Sequence, residues 1–144
     1  MPHSFVRILL VDDFEPWRRQ VCSILGARPE LRVIAEAADG LEAVQKAQKL
    51  KPELIVLDIG LPSVDGLEAA TRVRQFSPNT KVIFLTQNSD REIVRRALRT
   101  AAQGYVLKTD AGSELLAAVA AVLSGDQFLS SGVKGLDSAE TEDT

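Results

Sequence analysis

The stretch VRILLVDD, residues Val6 to Asp13, ends an apolar run with two adjacent carboxylates. A short and nearly continuous apolar run favours a strand that is buried on both faces, as in a parallel sheet covered by helices. Further runs rich in Val, Ile and Leu follow along the chain: RVIAEAA from Arg32, ELIVLD from Glu53, KVIFLT from Lys81 and GYVLKT from Gly104. The sequence therefore predicts five strands, the first of which carries Asp12 and Asp13 at its carboxyl end.

Segments of helical length separate these runs. Apolar residues recur at helical spacing after Pro16, behind Gly66 and behind Asp90, and less cleanly from Leu41. A fifth helix is predicted from Gly112 to Ser124. Alternating strands and helices with short connections predict an α/β fold, because parallel neighbours need crossover connections and these have one hand. We therefore expect a doubly wound parallel sheet of five strands with five helices.

The composition indicates one globular domain with a substantial core, since the chain has 144 residues, of which 45% are hydrophobic and 26% charged. We assign this domain to residues 5–124 and interpret residues 125–144, rich in Ser, Gly and acids, as a linker or disordered tail. The formal charge of -3 argues against a broad nucleic-acid surface. No apolar run approaches the ~20 residues of a membrane helix, and MPHSFVR lacks the features of a signal peptide, so we expect a cytoplasmic protein without membrane contact.

Polar residues lie at the carboxyl ends of four predicted strands: Asp12 and Asp13, Asp58, Thr86 and Lys108. Open parallel sheets bind ligands in the crevice outside the carboxyl ends of their strands, so we expect these side chains to meet. Three carboxylates in one crevice repel one another unless a cation holds them. The single Cys and single His cannot build a thiolate or imidazole cage, which leaves oxygen ligands and favours Mg²⁺. Because protein-bound Mg²⁺ usually also contacts substrate phosphates, the site predicts a phosphate ligand.

The motifs VDD, LDIGLPSVDG, LT and YVLK follow the first, third, fourth and fifth predicted strands. In this order the chain resembles the receiver domain of two-component response regulators, from roughly Val6 to Leu123. The resemblance implies a flavodoxin-like receiver fold. It also implies that Asp58 accepts a phosphoryl group from the phosphohistidine of a sensor histidine kinase, after which the domain changes its partner-binding surface. Such a domain is a switch and not a turnover enzyme.

The resemblance also implies a role for each site residue. Asp12, Asp13, Asp58 and the backbone carbonyl of Gly60 would hold Mg²⁺, with Asp13 a more direct ligand than Asp12. Lys108 would pair with Asp58 at rest and with a phosphoryl oxygen afterwards. The switch would consist of two side chains, the hydroxyl of Thr86 and the ring of Tyr105.

Two positions depart from the commoner pattern of the family. Gln87 follows Thr86 where a small residue is frequent, which predicts altered access to the phosphoryl group and altered hydrolysis, of either sign. Thr109 replaces a proline that often follows the lysine, and receivers attached to LuxR-type helix-turn-helix domains often lack that proline. The stretch GDQFLSS also resembles the way those receivers continue into their linker, so we expect membership of that subfamily.

Several other residues have simpler explanations. Trp17 has the spacing of a residue that packs a helix onto the core, and Asp39 and Ser89 suit helix caps. The apolar LLAAVAAVL could pack on a second copy, as a homodimer, or on an output domain that this chain lacks. A basic stripe on the fourth helix is either a solvated face or a partner-docking surface, and it consists of Arg91, Arg95 and Arg99.

Two alternative functions belong to other classes. A haloacid-dehalogenase-type phosphatase needs a second Asp two residues after the nucleophile, but Gly60 follows Asp58 and Phe14 follows Asp12 at that distance, which excludes it. A receiver-like module that binds partners constitutively, without phosphorylation, remains an alternative because of Gln87. The chain could also be a piece of a transcription factor, which would bind DNA through another domain and not through these residues.

Overall fold

The computed structural model of the chain describes residues 5–100 and 102–134. Within these ranges strands and helices alternate as predicted, and no helix is long and apolar enough to cross a membrane. A short 3-10 helix, Lys108–Asp110, precedes the fifth α-helix. The strands and α-helices are, in chain order, β1 (Val6–Val11), α1 (Glu15–Leu25), β2 (Leu31–Ala37), α2 (Gly40–Leu50), β3 (Leu54–Leu57), α3 (Gly66–Phe76), β4 (Lys81–Thr86), α4 (Arg91–Arg99), β5 (Gly104–Leu107), α5 (Ala111–Leu123) and β6 (Phe128–Leu129).

The strands form one parallel sheet in the order β2-β1-β3-β4-β5-β6. The chain winds from β1 to one edge at β2 and then returns past β1 to build the other side, so the topology reverses between β1 and β3. In this pair Val11 lies beside Leu57. The next residues, Asp12 and Asp58, therefore leave the sheet side by side at the reversal, where open α/β sheets bind their ligands.

Side chains that alternate along the strands fill two cores, one on each face of the sheet. Leu9, Leu57 and Phe84 pack in a core that includes residues of α2, α3 and α4. Leu10 and Val56 pack in the opposite core, with residues of α1 and α5. Burial on both faces explains why the central strands are apolar at nearly every position.

The helix boundaries confirm the predicted cap at Asp39 but not the one at Ser89. Asp39 caps α2, because its carboxylate accepts a hydrogen bond from the backbone N–H of Glu42 at 2.8 Å. The prediction that Ser89 caps α4 is wrong: Asp90 holds that position and accepts hydrogen bonds from two N–H groups of the first turn. The fifth helix, Ala111–Leu123, begins and ends one residue earlier than predicted.

Two glycines let the loop after β3 approach its neighbours closely. A Cβ atom on Gly40 would overlap the carbonyl oxygen of Val64, and one on Gly66 would overlap the carbonyl oxygen of Asp58. Only glycine allows such contacts between backbones. The N–H of Gly66 also donates a hydrogen bond to the carbonyl of Ile59 at 2.7 Å, so the start of α3 holds the backbone that follows β3.

The sheet has a sixth strand that the sequence analysis did not predict. Ser130 donates its N–H to the carbonyl of Tyr105 at 3.0 Å, and its hydroxyl accepts the N–H of Leu107 at 3.1 Å. Val133 is fully buried against the core. Residues 125–134 of the predicted linker thus continue the fold, and residues 135–144 lie outside the described residues. A strand of two residues, Phe128–Leu129, is too short to show as an apolar run.

Candidate functional site

The carboxyl edge of the sheet brings the predicted polar residues together. β1 leads directly into Asp12, β3 into Asp58 and β5 into Lys108, while Thr86 is the last residue of β4. Parallel pairing of these strands places their ends at one edge. Residues that are far apart in the sequence therefore surround one cavity.

The carboxylates of Asp12, Asp13 and Asp58 form a cluster in which one oxygen of each lies within 4.8 Å of the others. Asp12 and Asp58 are buried, whereas Asp13 is exposed. One oxygen of each buried carboxylate accepts a local backbone hydrogen bond: the N–H of Phe14 lies 2.9 Å from Asp12 Oδ1, and the N–H of Ile59 lies 2.7 Å from Asp58 Oδ1. The backbone thereby orients both groups.

Lys108 neutralises part of this cluster. Its Nζ lies 2.6 Å from Asp12 Oδ2 and 3.0 Å from Asp58 Oδ2, so one ammonium bridges the second oxygens of the two buried carboxylates. Burial by itself lowers the pKa of Lys108, but the contacts with Asp12 and Asp58 outweigh that effect, and its pKa is raised. The lysine is therefore a permanent cation of the site at neutral pH.

Burial raises the pKa of Asp12, and the neighbouring charge of Asp58 adds to the rise, although Lys108 and the N–H of Phe14 oppose it. Three carboxylates and one ammonium leave the cluster with an excess of negative charge. An oxygen-only donor set with this excess fits a hard divalent cation such as Mg²⁺, which one or two carboxylates commonly hold in proteins. The residues present thus fit the predicted metal.

The loop after β4 connects two further side chains. The N–H of Asn88 donates to Thr86 Oγ1 at 3.3 Å, and the carbonyl of the same residue accepts a hydrogen bond from the Tyr105 hydroxyl at 2.6 Å. Both Thr86 and Tyr105 are buried. One residue of this loop therefore contacts both side chains of the predicted switch.

A cavity of about 510 Å³ opens between these elements. Gly60 lies on its wall beside Asp13 and Asp58, and a Cβ atom at Gly60 would meet no atom within 4 Å. Gln87, the position that departs from the family pattern, also lines the cavity and is exposed. Gln87 therefore lies at the rim of the cavity.

The basic stripe lies on α4 and does not line this cavity. Arg95 Nη1 lies 3.7 Å from Glu92 Oε1, and Arg99 Nη2 lies 3.9 Å from Glu92 Oε2. Arg91 is on the same helix and is exposed. The three arginines are therefore not among the residues that line the acidic cavity.

Two contacts of the site escaped the sequence analysis. Asn88 acts through its backbone N–H and carbonyl, so its residue type carried no signal. Trp17 does pack α1 onto the core, as predicted, but its ring centroid also lies 5.5 Å from Lys108 Nζ. Only the meeting of α1 with the end of β5 creates that second contact.

A parallel sheet that reverses between β1 and β3, with an acidic cluster and a lysine at the reversal, defines a receiver-type α/β domain. The chain belongs to the response regulator receiver domain family, whose sequence pattern matches residues 8–120. Domains of this family take part in two-component signal transduction and bind Mg²⁺ at an acidic pocket. The fold and family predicted from the sequence are thereby confirmed.

Curated relatives are named as response regulators and transcriptional regulators. The chain is 36% identical over 124 residues to the transcriptional regulatory protein DegU of Brevibacillus brevis, covering 86% of this chain and 52% of DegU. It is also 36% identical over 121 residues to the response regulator protein VraR of Staphylococcus epidermidis, covering 84% of this chain and 58% of VraR. The chain thus spans a little over half the length of the curated relatives it matches.

Solved structures share the fold. A LuxR-family two-component response regulator from Aurantimonas sp. SI85-9A1 superposes with a TM-score of 0.91 at 31% identity, covering 96% of this chain and 99% of that one. The isolated REC domain of RcsB from Salmonella enterica serovar Typhimurium, solved with the phosphomimetic BeF3-, superposes with a TM-score of 0.86 at 24% identity, covering 92% and 99%. The first match confirms the predicted LuxR-type relationship, and the second concerns the fold alone.

Proposed function

We propose that Asp58 accepts a phosphoryl group from the phosphohistidine of a sensor histidine kinase. The observation that carries this proposal is the position of Asp58, whose carboxylate lies in the acidic cluster, 3.0 Å from Lys108 Nζ and on the wall of an open cavity. A carboxylate is an established covalent nucleophile, and a phosphoryl group needs cations around it. Asp58 has both neighbours that this reaction requires, a lysine and a metal-binding set of carboxylates.

The transfer can be written for this site. A carboxylate oxygen of Asp58 attacks phosphorus, the P–N bond to the donor imidazole breaks, and its electron pair passes to nitrogen, which takes up a proton. An acyl phosphate remains on Asp58. Lys108 then exchanges its contact with the carboxylate for one with a phosphoryl oxygen, as a compact charge on a flexible stem can do.

Mg²⁺ would be held by Asp12, Asp13, Asp58 and the backbone carbonyl of Gly60. When bound, the ion draws charge from the transferring phosphoryl group and helps to align it for attack. Of the three carboxylates Asp13 is the exposed one, which suits entry of a hydrated ion. We assign to the domain no chemistry beyond its own phosphotransfer and dephosphorylation.

Intact mass spectrometry after incubation with acetyl phosphate tests the proposal. We expect a phosphoryl adduct that requires Mg²⁺ and is lost in Asp58→Asn. Asp126→Asn, which changes an exposed aspartate in the loop after α5, is the matched control and should keep the adduct. If the parent chain forms no adduct at any time point and binds no beryllofluoride, the domain is instead the constitutive interaction module, a function that the rim position of Gln87 favours.

The switch proposal concerns Thr86 and Tyr105. Movement of the Thr86 hydroxyl toward a phosphoryl oxygen would break its 3.3 Å contact with the N–H of Asn88, whose carbonyl holds Tyr105. A change at Asp58 would thus reach the loop that begins α4. We expect beryllofluoride to shift the backbone amide signals of α4 in the parent and not in Thr86→Ala, measured by NMR. Equal shifts in both proteins would contradict this route.

The partners follow from the family and the relatives. DegU is named a transcriptional regulatory protein and is longer than this chain, so we infer that this receiver regulates transcription in the cytoplasm through an output domain. On α4, the face of Arg91, Arg95 and Arg99 lies next to the proposed switch loop and would change its exposure with it. A phosphorylation-dependent change in oligomeric state or in binding to the output domain, measured by light scattering, is the direct test.

A further inference from the structure

We propose that Trp17 is a positioning residue that holds the Lys108 ammonium over Asp58. The inference rests on the proposed phosphotransfer to Asp58, and it adds a residue of α1 to the machinery of that reaction. Lys108 Nζ lies 5.5 Å from the centroid of the Trp17 ring, within the ~6 Å range in which an ammonium is attracted to an aromatic face. Trp is the best side chain for this attraction because of its large ring quadrupole.

This contact completes a closed chain of interactions that begins and ends at Asp12. The Oδ1 atom of Asp12 accepts the N–H of Phe14 at 2.9 Å, and the carbonyl of Phe14 accepts the N–H of Trp17 at 3.1 Å. The ring of Trp17 contacts Lys108, whose Nζ returns to Asp12 Oδ2 at 2.6 Å. The start of α1 is thereby tied both to a proposed metal ligand and to the lysine that faces the phosphoacceptor.

The ring also limits where the ammonium can go. A second cavity of about 370 Å³ adjoins the acidic one and is lined by Trp17, Lys108, Phe14, Pro16, Gln20, Gln87 and Thr109. Lys108 borders both cavities. Since a lysine stem has many rotamers and its ammonium prefers water, an ammonium without an aromatic wall could turn into this second cavity. Trp17 opposes that movement because its ring attracts the ammonium in the position where Nζ holds both carboxylates.

Two substitutions at Trp17 separate positioning from packing. Trp17→Phe keeps an aromatic face, whereas Trp17→Leu keeps an apolar side chain without one. Phosphorylation by acetyl phosphate should slow by about three- to tenfold in Trp17→Leu, the range expected for a partly exposed cation–π contact, and recover most of its rate in Trp17→Phe. Phe5→Leu is the matched control, because Phe5 stacks on Arg32 at 3.8 Å in the segment before β1, and its rate should equal that of the parent.

A double-mutant cycle shows whether the effect passes through the lysine. In a Lys108→Gln background, Trp17→Leu should cause no further loss of rate, since the group that it positions is gone. A residue that only packs the helix would slow both backgrounds equally. Equal loss in both backgrounds, equal loss in Trp17→Phe and Trp17→Leu, or no loss in either would overturn the proposal.

An NMR measurement on the unphosphorylated chain needs no phosphotransfer. The side-chain methylene protons of Lys108, identified by their absence in Lys108→Gln, should be shifted upfield by the ring current of Trp17 in the parent and return to ordinary values in Trp17→Leu. Ordinary shifts in the parent overturn the inference even if Trp17→Leu does not fold. Failure of the phosphotransfer itself appears separately, as the absence of an adduct in the parent chain.

Discussion

Replacing Asp13 by Asn should make the metal-free protein more stable and the Mg²⁺-bound protein less stable than the parent. Asp13 is the exposed member of the acidic cluster, and the other charges around it are two carboxylates and one ammonium. These three groups sum to one net negative charge. Asp13 therefore experiences repulsion that the neutral amide of Asn removes, while one oxygen ligand of the proposed metal site is weakened.

The size of the repulsion follows from the geometry. At the 4.8 Å limit of the cluster, one net charge in water-like surroundings costs about 0.9 kcal/mol. The free energy of unfolding of Asp13→Asn in chelator should thus exceed that of the parent by about 0.9 kcal/mol. Because the group is exposed, the gain should shrink in ~1 M salt, where the screening length falls to about 3 Å.

Binding of Mg²⁺ should reverse the order of stability of the variant and the parent. An ion at one hundred times its dissociation constant stabilises the native state by about 2.7 kcal/mol, whereas after a tenfold loss of affinity the same concentration adds about 1.4 kcal/mol. The difference of about 1.3 kcal/mol exceeds the 0.9 kcal/mol gained without metal. The variant therefore becomes the less stable protein in saturating Mg²⁺.

Urea unfolding followed by circular dichroism, in chelator and in Mg²⁺, measures both quantities. Glu30→Gln is the matched control, because it removes the same charge from an exposed position just before β2, at the opposite edge of the sheet. Glu30→Gln should change the metal-free free energy of unfolding by no more than a few tenths of a kcal/mol. It should leave the stabilisation by Mg²⁺ unchanged. A destabilised Asp13→Asn in chelator, or an equal gain from Mg²⁺ in variant and parent, would refute the reasoning.

Two further predictions concern stability away from the cluster. Val133→Ala should lower the free energy of unfolding by about 1.6 kcal/mol, since it removes two buried carbons from the segment after α5. An unchanged urea midpoint would show that this segment is not part of the folded unit. Glu42 has a lowered pKa because its carboxylate accepts the N–H of Ala38. The stability that this hydrogen bond contributes is therefore complete above the ordinary pKa of 4.5 and is lost as the pH falls through the lowered pKa. Glu42→Gln should therefore be less stable than the parent at pH 7, by under about 1 kcal/mol. The gap in urea titrations should narrow as the pH falls below 4.5, and a gap that does not narrow in acid would contradict this assignment.

The sequence determined the architecture and the members of the acidic cluster. Continuous apolar runs show strands that are covered on both faces, and helical spacing between them requires parallel crossovers. Once the strands are parallel, the residue after each strand must lie at the same edge. The sequence could thus place Asp12, Asp58 and Lys108 in one site without any knowledge of distances. The end of a strand is visible in the local sequence, and the parallel sheet fixes where that end lies in the fold.

Tertiary structure alone decided the contacts that join residues through their backbones or across elements. β6 is too short to leave an apolar pattern, and it exists because the edge of β5 offers free N–H and carbonyl groups to the chain that follows α5. Asn88 joins Thr86 to Tyr105 through a backbone N–H and carbonyl, which every residue except proline has. Trp17 has the spacing of a core residue, and its place beside Lys108 depends on how closely α1 approaches the end of β5. Periodicity records which face of an element is buried, but not which atoms meet there.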